Sequence, residues 1–366
     1  MQLRYAEERD REGISDLWAA CFPGDEAFRD YFLDEIFEQG SGFVYVDGER
    51  VISMAHVLTM EFRYHSNTVP AGYIFAVGTD PSYRGRGLAS EVLEHIFSEL
   101  RQRDIPLAIV VPQRDDLFDY YRRFGFSEVF ALTHERLRRD SIPCDKISDR
   151  FSLKKSSLTA NPSALSDTSE TRDVVELHAT IIDANSLYEE VMRYRNHLMR
   201  TPVHWERAVK TGELADGGMY MLMDGDKLSG YAICEMDEDK LIINELLAEE
   251  EVSYHTLCAN VLDSMKKREA LMLTAACPHG ARRFGMARVL DAERMLSNAA
   301  EYRRDMECAF EVRDKICPWN TSRYEISGLA VNREESTGSM AYITPEQLSE
   351  ILFGAGPISY INLLFS

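Results

Sequence analysis

Residues 74–100, IFAVGTDPSYRGRGLASEVLEHIFSEL, admit few folds. Ile74, Phe75, Ala76 and Val77 form a short apolar run, the mark of a mostly buried strand. Asp80 and Pro81 end it, because proline gives no ladder donor and restricts the residue before it. From Leu88 the apolar positions are Leu88, Val92, Leu93, Ile96, Phe97 and Leu100, one face of a helix at the 3.6-residue period. The turn between strand and helix therefore lies at a helix N-terminus. There the first N–H groups lack intrahelical acceptors and the macrodipole favours anions. Gly85 and Gly87 let the backbone approach a ligand closely, and Arg84 and Arg86 add positive charge. A phosphate or pyrophosphate is the expected occupant.

Three phosphate loops compete for this stretch. A P-loop needs a Lys after its last glycine, and none follows here. A dinucleotide loop needs a third glycine two residues beyond Gly87's neighbour, where Ser90 stands instead. The third pattern is Gln or Arg, any two residues, Gly, any residue, then Gly or Ala. Arg84-Gly85-Arg86-Gly87-Leu88-Ala89 meets it at every position. In that respect the stretch resembles the acyl-CoA pyrophosphate loop of the GNAT acetyltransferases.

With 366 residues, 45% hydrophobic and 28% charged, the chain is expected to fold into two or three globular domains. The seven cysteines are widely spread and form no C-x-x-C pair, and the nine histidines show no H-E-x-x-H spacing. Neither a disulfide framework nor a metal site is expected. Reduced thiols and a charged start, MQLRYAEERDREG, point to a cytoplasmic protein without a signal peptide. No apolar run reaches the length of a membrane span. A net charge of −20 argues against nucleic acid as a partner and favours cationic ligands.

The order of elements extends the picture. Gln2 to Ala6 suits a first strand, and Arg11 to Phe22 a helix with Ile14, Leu17, Trp18 and Cys21 on one face. FVYVDGERVISMAHV, from Phe43, is a hairpin turning at Asp47-Gly48. Ile105 to Val111 is a buried strand, and Leu117 to Phe126 a short helix stopped by Gly125. Residues 151–172, rich in Ser and Thr, are expected to be a linker. MYMLMDGDKLSGYAICEM (Met219 to Met236) then mirrors the Phe43 hairpin, and a helix over Tyr254 to Lys267 separates KLIINELL from ALMLTAA. This reads as an internal repeat. Its helix entrance carries Glu249, Glu250 and Glu251, which suit the dipole and repel a pyrophosphate. Near the end, Thr344, Pro345 and Gln347 form a helix start.

Two such units, a small α+β unit and an apolar tail resemble the enhanced intracellular survival (Eis) branch of the GNAT acetyltransferases. The resemblance implies an α/β (α+β) chain of tandem GNAT-like mixed-sheet domains and a sterol-carrier-like domain. Residues 1–150 are expected to be the active GNAT domain, 173–285 a degenerate copy without the phosphate loop, and 286–366 the carrier-like domain. It further implies acetyl-CoA as donor, an amine such as an aminoglycoside, polyamine or lysine as acceptor, no membrane partner, and a homo-oligomer, a hexamer in that family. Val77, Gly78 and Thr79 match the strand that pairs with the pantetheine arm. Arg84, Gly85, Arg86, Gly87, Leu88 and Ala89 match the pyrophosphate loop. Tyr121 matches the general acid, and the C-terminal carboxylate, here on Ser366, the general base. The family tail usually ends on Phe. Here Ser366 follows Phe365, an extension of about 3 Å along an extended chain.

The chemistry asks for the same groups. An amine attacking a thioester generates an oxyanion, which a backbone N–H of the Val77 strand can meet. The departing thiolate gains from a proton, and a tyrosine can supply one. Neighbouring helical residues point about 100° apart, so only one of Tyr120 and Tyr121 faces the cleft. Spacing groups Leu117, Tyr120 and Phe124 on the apolar face and leaves Tyr121 at its edge. Three other readings stay open: a CoA-binding regulator without catalysis, a lipid carrier, and a protein or peptide lysine acetyltransferase.

Overall fold

The computed structural model describes residues 1–38, 40–156, 168–275, 281–336, 341–354 and 359–361, with side chains in the 168–192 helix described from residue 180. Ser366 lies outside the described residues. The chain opens with β1 (Gln2–Tyr5), α1 (Arg11–Cys21) and α2 (Glu26–Tyr31), which runs on into a π-helical turn over Phe32–Ile36. β2 (Gly42–Asp47), β3 (Arg50–Tyr64) and β4 (Asn67–Thr79) form a meander. α3 (Leu88–Gln102), β5 (Leu107–Val110), α4 (Asp115–Arg122) and β6 (Ser127–Arg138) follow. Then come β7 (Ser152–Lys155), α5 (Thr168–Met192), β8 (His197–Leu198), α6 (Pro202–Leu214), β9 (Gly218–Asp224), β10 (Lys227–Asp237), β11 (Lys240–Ala248), α7 (Glu251–Ser264) and β12 (Glu269–Ala275). The last part holds β13 (Ala281–Val289), α8 (Ala292–Tyr302), β14 (Glu307–Val312), β15 (Ser322–Ser327), β16 (Ala330–Glu334), β17 (Tyr342–Ile343) and α9 (Pro345–Gly354).

These elements form two compact units. One comprises residues 1–130 and 283–359, the other 131–282 and the chain end from Tyr360. In the first, the strand order is β1-β2-β3-β4-β5-β13. The meander is antiparallel, β4 and β5 are parallel, and β13 returns antiparallel on β5. α3 buries Val92, Leu93, Ile96 and Phe97 on one face of the sheet, against Ala55, Val57 and Ile74. α1 covers the other face with Ile14, Leu17 and Trp18, against Val44, Val51 and Met54. Alternate strand residues thus feed two cores, as the two-residue side-chain period requires.

Four aromatic rings in the second of these cores surround His56. Phe32, Phe75, Phe37 and Trp18 lie 4.7, 5.7, 6.0 and 6.1 Å from its ring. Both ring nitrogens are buried without a hydrogen-bond partner among the described residues. Burial alone holds the imidazole neutral, with its pKa lowered to about 3. The unfolded chain takes up this proton near pH 6.5 and the folded chain does not, so His56 costs stability as pH falls from about 6.5 towards 3. The slope is roughly 1.4 kcal/mol per pH unit. Urea denaturation of the unsubstituted chain and of His56→Leu should show it. Between pH 6.5 and 4.5 the variant should lose roughly 2–3 kcal/mol less stability. Equal losses would place the acid lability elsewhere.

In the second unit the order is β6-β12-β11-β10-β9-β7. β9, β10 and β11 are an antiparallel meander, α7 follows, and β12 returns parallel to β11. This is the order of β2 to β5 over again, with α7 packing Leu257, Val261 and Leu262 on Leu222, Ala232 and Ile243. A buried ion pair, Arg200 to Glu245 at 2.6 Å, lies in this unit. Glu245 also accepts from Tyr231 at 2.7 Å and from Tyr360 at 2.5 Å, so the charge of this pair is met on the Glu245 side as well.

Two expectations are corrected. Ser152–Lys155, assigned to a linker, is strand β7 on β9, and α5 begins at Thr168 within the same stretch. Its polar side chains are those of an edge strand, where composition does not distinguish strand from loop. Residues 286–289 pair with β5, so the stretch from Met286 begins as a strand of the first unit's sheet. Residues 131–138 pair with β12, from Arg138 opposite Glu269 to Leu132 opposite Ala275, and so leave the first unit for the second. Non-local pairing of this kind leaves no periodicity to read. The helix start at Thr344 is present: its N–H donates to Gln347 Oε1 at 2.9 Å. No described helix is long and apolar enough to cross a membrane.

Candidate active site

β4 and β5 pair only from Ala71 opposite Leu107 to Tyr73 opposite Ile109, although β4 runs on to Thr79. The second half of β4 is thus held by β3 alone among the described strands. On that side its register shifts. Met54 faces Gly78 and His56 faces Phe75, so β4 carries one extra residue opposite Ala55. Ala76 sits at the shift with φ 48°, a left-handed conformation that costs a non-glycine residue energy. Such a bulge bends the strand and re-aims its N–H groups. Beyond it Val77 is half-buried and Gly78 buried. Thr79 is fixed through its hydroxyl, 2.8 Å from Ser53 Oγ. β4 thereby runs on past Tyr73 without β5 beside it.

The loop follows at once. Asp80 turns the chain by accepting from Ser82 N–H at 2.8 Å. Arg84 Nε donates to the Thr79 carbonyl at 3.1 Å, and the Arg86 guanidinium lies 4.8 Å over the Tyr83 ring. Both cations are therefore tethered at the loop. Gly85 and Gly87 adopt φ 76° and 83°, and a Cβ at either would meet nothing within 4 Å. Open space, positive φ and the exposure of Arg84 to Gly87 leave the loop backbone open to close approach. Leu88 is buried and anchors the first turn of α3, Ala89 is half-buried, and Glu91 N–H is the first to bond back, to Gly87 O at 3.1 Å. The N–H groups of Leu88, Ala89 and Ser90 thus point outward without an intrahelical acceptor.

α4 stands near this cleft with its two tyrosines, and the expected facing is corrected here. Phe118 and Tyr121 are the buried residues of α4, while Leu117 and Tyr120 are half-buried. The helix ends at Arg122, so Phe124 is past its last turn and does not set its apolar face. Tyr121 packs 5.7 Å from Phe126. Burial pushes its phenol well up, and Tyr120 and Tyr73 reinforce the shift. Tyr73 is the last β4 residue paired with β5, so the Tyr121 phenol is close to the point where those strands part. Tyr120 lies under the Arg123 guanidinium, 5.0 Å from the ring centre. By distance and angle its hydroxyl is buried with no hydrogen-bond partner among the described residues. Burial raises its pKa, and the nearby Ser90 and Arg123 pull it back.

Residues 2–129 match the profile of the acetyltransferase (GNAT) domain, and residues 292–364 that of the sterol carrier protein domain. The chain carries a GNAT acetyltransferase domain. This GNAT domain contains the bulge, the loop and both tyrosines. No curated protein matches the chain. Eis1 from Mycobacterium abscessus shares the fold at TM-score 0.69 and 16% identity, over 97% of this chain and 90% of that one. A GCN5-related N-acetyltransferase from Anabaena variabilis does so at TM-score 0.67 and 18% identity, over 96% and 89%. One from Kribbella flavida gives 0.66 and 17%, over 96% and 89%.

The GNAT domain also brings to the cleft two residues that sequence reading left aside. Ala76 is one, since alanine gives no sign of a positive φ. Cys21 is the other. Its sulfur is 3.5 Å from the Thr79 carbonyl, and burial raises its thiol while Arg84 pulls it back. Its place on the inner face of α1 was legible, but not its meeting with β4. Among the described residues, no three His, Cys, Asp or Glu side chains are grouped to hold a metal.

Proposed function

We propose that this protein transfers the acetyl group of acetyl-CoA to the primary amine of a cationic acceptor, an aminoglycoside, polyamine or lysine-like amine, within a ternary complex. The observation that carries this reading is the open, doubly cationic Arg84–Ala89 loop at the end of a strand that parts from its neighbour. The loop N–H groups and Arg84 and Arg86 would hold the pyrophosphate. The backbone of Val77, Gly78 and Thr79 would pair with the pantetheine arm, and an N–H of the bulged strand would meet the oxyanion. Tyr121 would donate its proton to the departing sulfur. The C-terminal carboxylate of Ser366 remains a proposal for the base. The acidity of the chain, −20 in net charge, favours cationic acceptors.

In this reading the GNAT domain matched over residues 2–129 is the active one, and 173–285 is a second, GNAT-like domain without a donor site. The residues from 286 on form a carrier-like domain, and the chains assemble as a homo-oligomer. The repeated element order of β9 to β12 supports the second domain. At the helix entrance matching the phosphate loop, Glu250 is the N-cap and Glu251 the first residue of α7. Carboxylates there oppose a bound pyrophosphate. Titration of acetyl-CoA should therefore saturate at one per chain. A stoichiometry of two would contradict the division of roles.

The deciding experiment is thiol release from acetyl-CoA with kanamycin, spermidine and a lysine peptide as acceptors. Release that depends on the amine supports the proposal. Saturable acetyl-CoA binding without release from any cationic amine would favour a CoA-binding regulator.

A further inference from the structure

Arg288 is wholly buried, and it sits at a junction. It stands on β13, opposite Ala108 of β5. Its guanidinium lies 4.8 Å over the Phe97 ring of α3. One terminal nitrogen donates to the carbonyl of Phe124. The other grips both carboxylate oxygens of Asp314, at 2.8 and 2.9 Å. Asp314 is itself over-determined. It accepts the Cys317 N–H at 2.8 Å and the Ile316 N–H at 3.1 Å, from the turn that follows β14.

The Phe124 carbonyl is in a sensitive place. It lies just past α4, where helix carbonyls lack intrahelical donors and the dipole favours a cation. The turn there is built on Tyr121, whose carbonyl accepts from Phe124 N–H at 2.9 Å and from Phe126 N–H at 3.4 Å. Gly125 follows at φ 81°, and a Cβ on it would run into the Arg288 guanidinium and Pro345 of α9. The end of the tyrosine helix is therefore clamped from the C-terminal part of the chain by one fully buried cation. The cavity between that part and the β3–β4 hairpin has only about 40 Å³, room for little more than a water molecule or two.

We propose that Arg288 is a positioning residue for Tyr121, and that the C-terminal region braces α4 through the Arg288–Asp314 pair. This rests on the reading of Tyr121 as proton donor. Arg288 touches neither donor nor acceptor in this account. It fixes the turn that sets where the Tyr121 hydroxyl points.

Removing one partner leaves a buried charge and risks unfolding. The test therefore replaces both, Arg288→Met with Asp314→Leu, which keeps the volume apolar. Hydrogen exchange at Phe124 and Phe126, acetyl-CoA affinity by calorimetry, and kcat and KM with the three amines above are measured. The same pair is then introduced into Tyr121→Phe. Expected are a folded protein, faster exchange at those two amides, acetyl-CoA affinity changed less than about twofold, and kcat lower by about ten- to a hundredfold. In the Tyr121→Phe background the pair should lower kcat little further, because there is no hydroxyl left to misplace. A folded pair variant with unchanged exchange and unchanged kcat overturns the inference. So does an equal loss in both backgrounds, since Arg288 would then act independently of Tyr121. If Tyr121→Phe alone turns over at the unsubstituted rate, the proton-donor reading falls and the positioning role with it. If Tyr121→Phe is slow and the pair variant is unaltered, only the role of Arg288 falls.

Discussion

Tyr121→Phe is expected to lower kcat for acetyl transfer by about 10²–10⁴-fold, the usual worth of a general acid, with acetyl-CoA affinity little changed. The substitution removes one oxygen from a ring packed against Phe126 and Tyr120, so the fold should survive. Burial, Tyr120 and Tyr73 all raise the phenol. It therefore stays protonated through about pH 6 to 9, and no fall of kcat in that range should come from its ionisation. Tyr120→Phe is the control. Its hydroxyl is buried without a partner among the described residues, so losing it should leave turnover nearly unchanged and raise stability by about 1 kcal/mol. Steady-state kinetics of the two variants decide the matter. A slow Tyr120→Phe beside a fast Tyr121→Phe would move the acid by one residue.

The parts of the site that were legible in the sequence are those built from neighbours along the chain. Arg84 to Ala89 could be placed at the mouth of α3 because the helix announces itself through Val92, Leu93, Ile96 and Phe97, all buried. Asp-Gly turns marked both hairpins, and Thr344 with Gln347 marked α9. What escaped depends on distant partners. The bulge in β4 falls on Ala76, a residue with no preference for positive φ. β13 joins β5 across more than 170 intervening residues, on the order of a whole domain, and brings Arg288 with it. The facing of Tyr120 and Tyr121 differs from that expected because α4 is only 8 residues long. Over so few positions, counting Phe124 into the helix rotates the inferred apolar face from Phe118 and Tyr121 onto Tyr120.

Gly87→Glu should abolish measurable acetyl-CoA binding. At φ 83° a side chain is strained by roughly 1–2 kcal/mol, which by itself would weaken binding modestly. The carboxylate adds more. A charge about 4 Å from a phosphate near a protein surface opposes it by roughly 4 kcal/mol. Together these predict a loss of at least about a hundredfold. Calorimetric titration of acetyl-CoA into the unsubstituted chain and into Gly87→Glu measures this loss. Saturable binding at one per chain, lost in the variant, is expected; equal affinity in the two proteins would show that the Arg84–Ala89 loop does not hold acetyl-CoA.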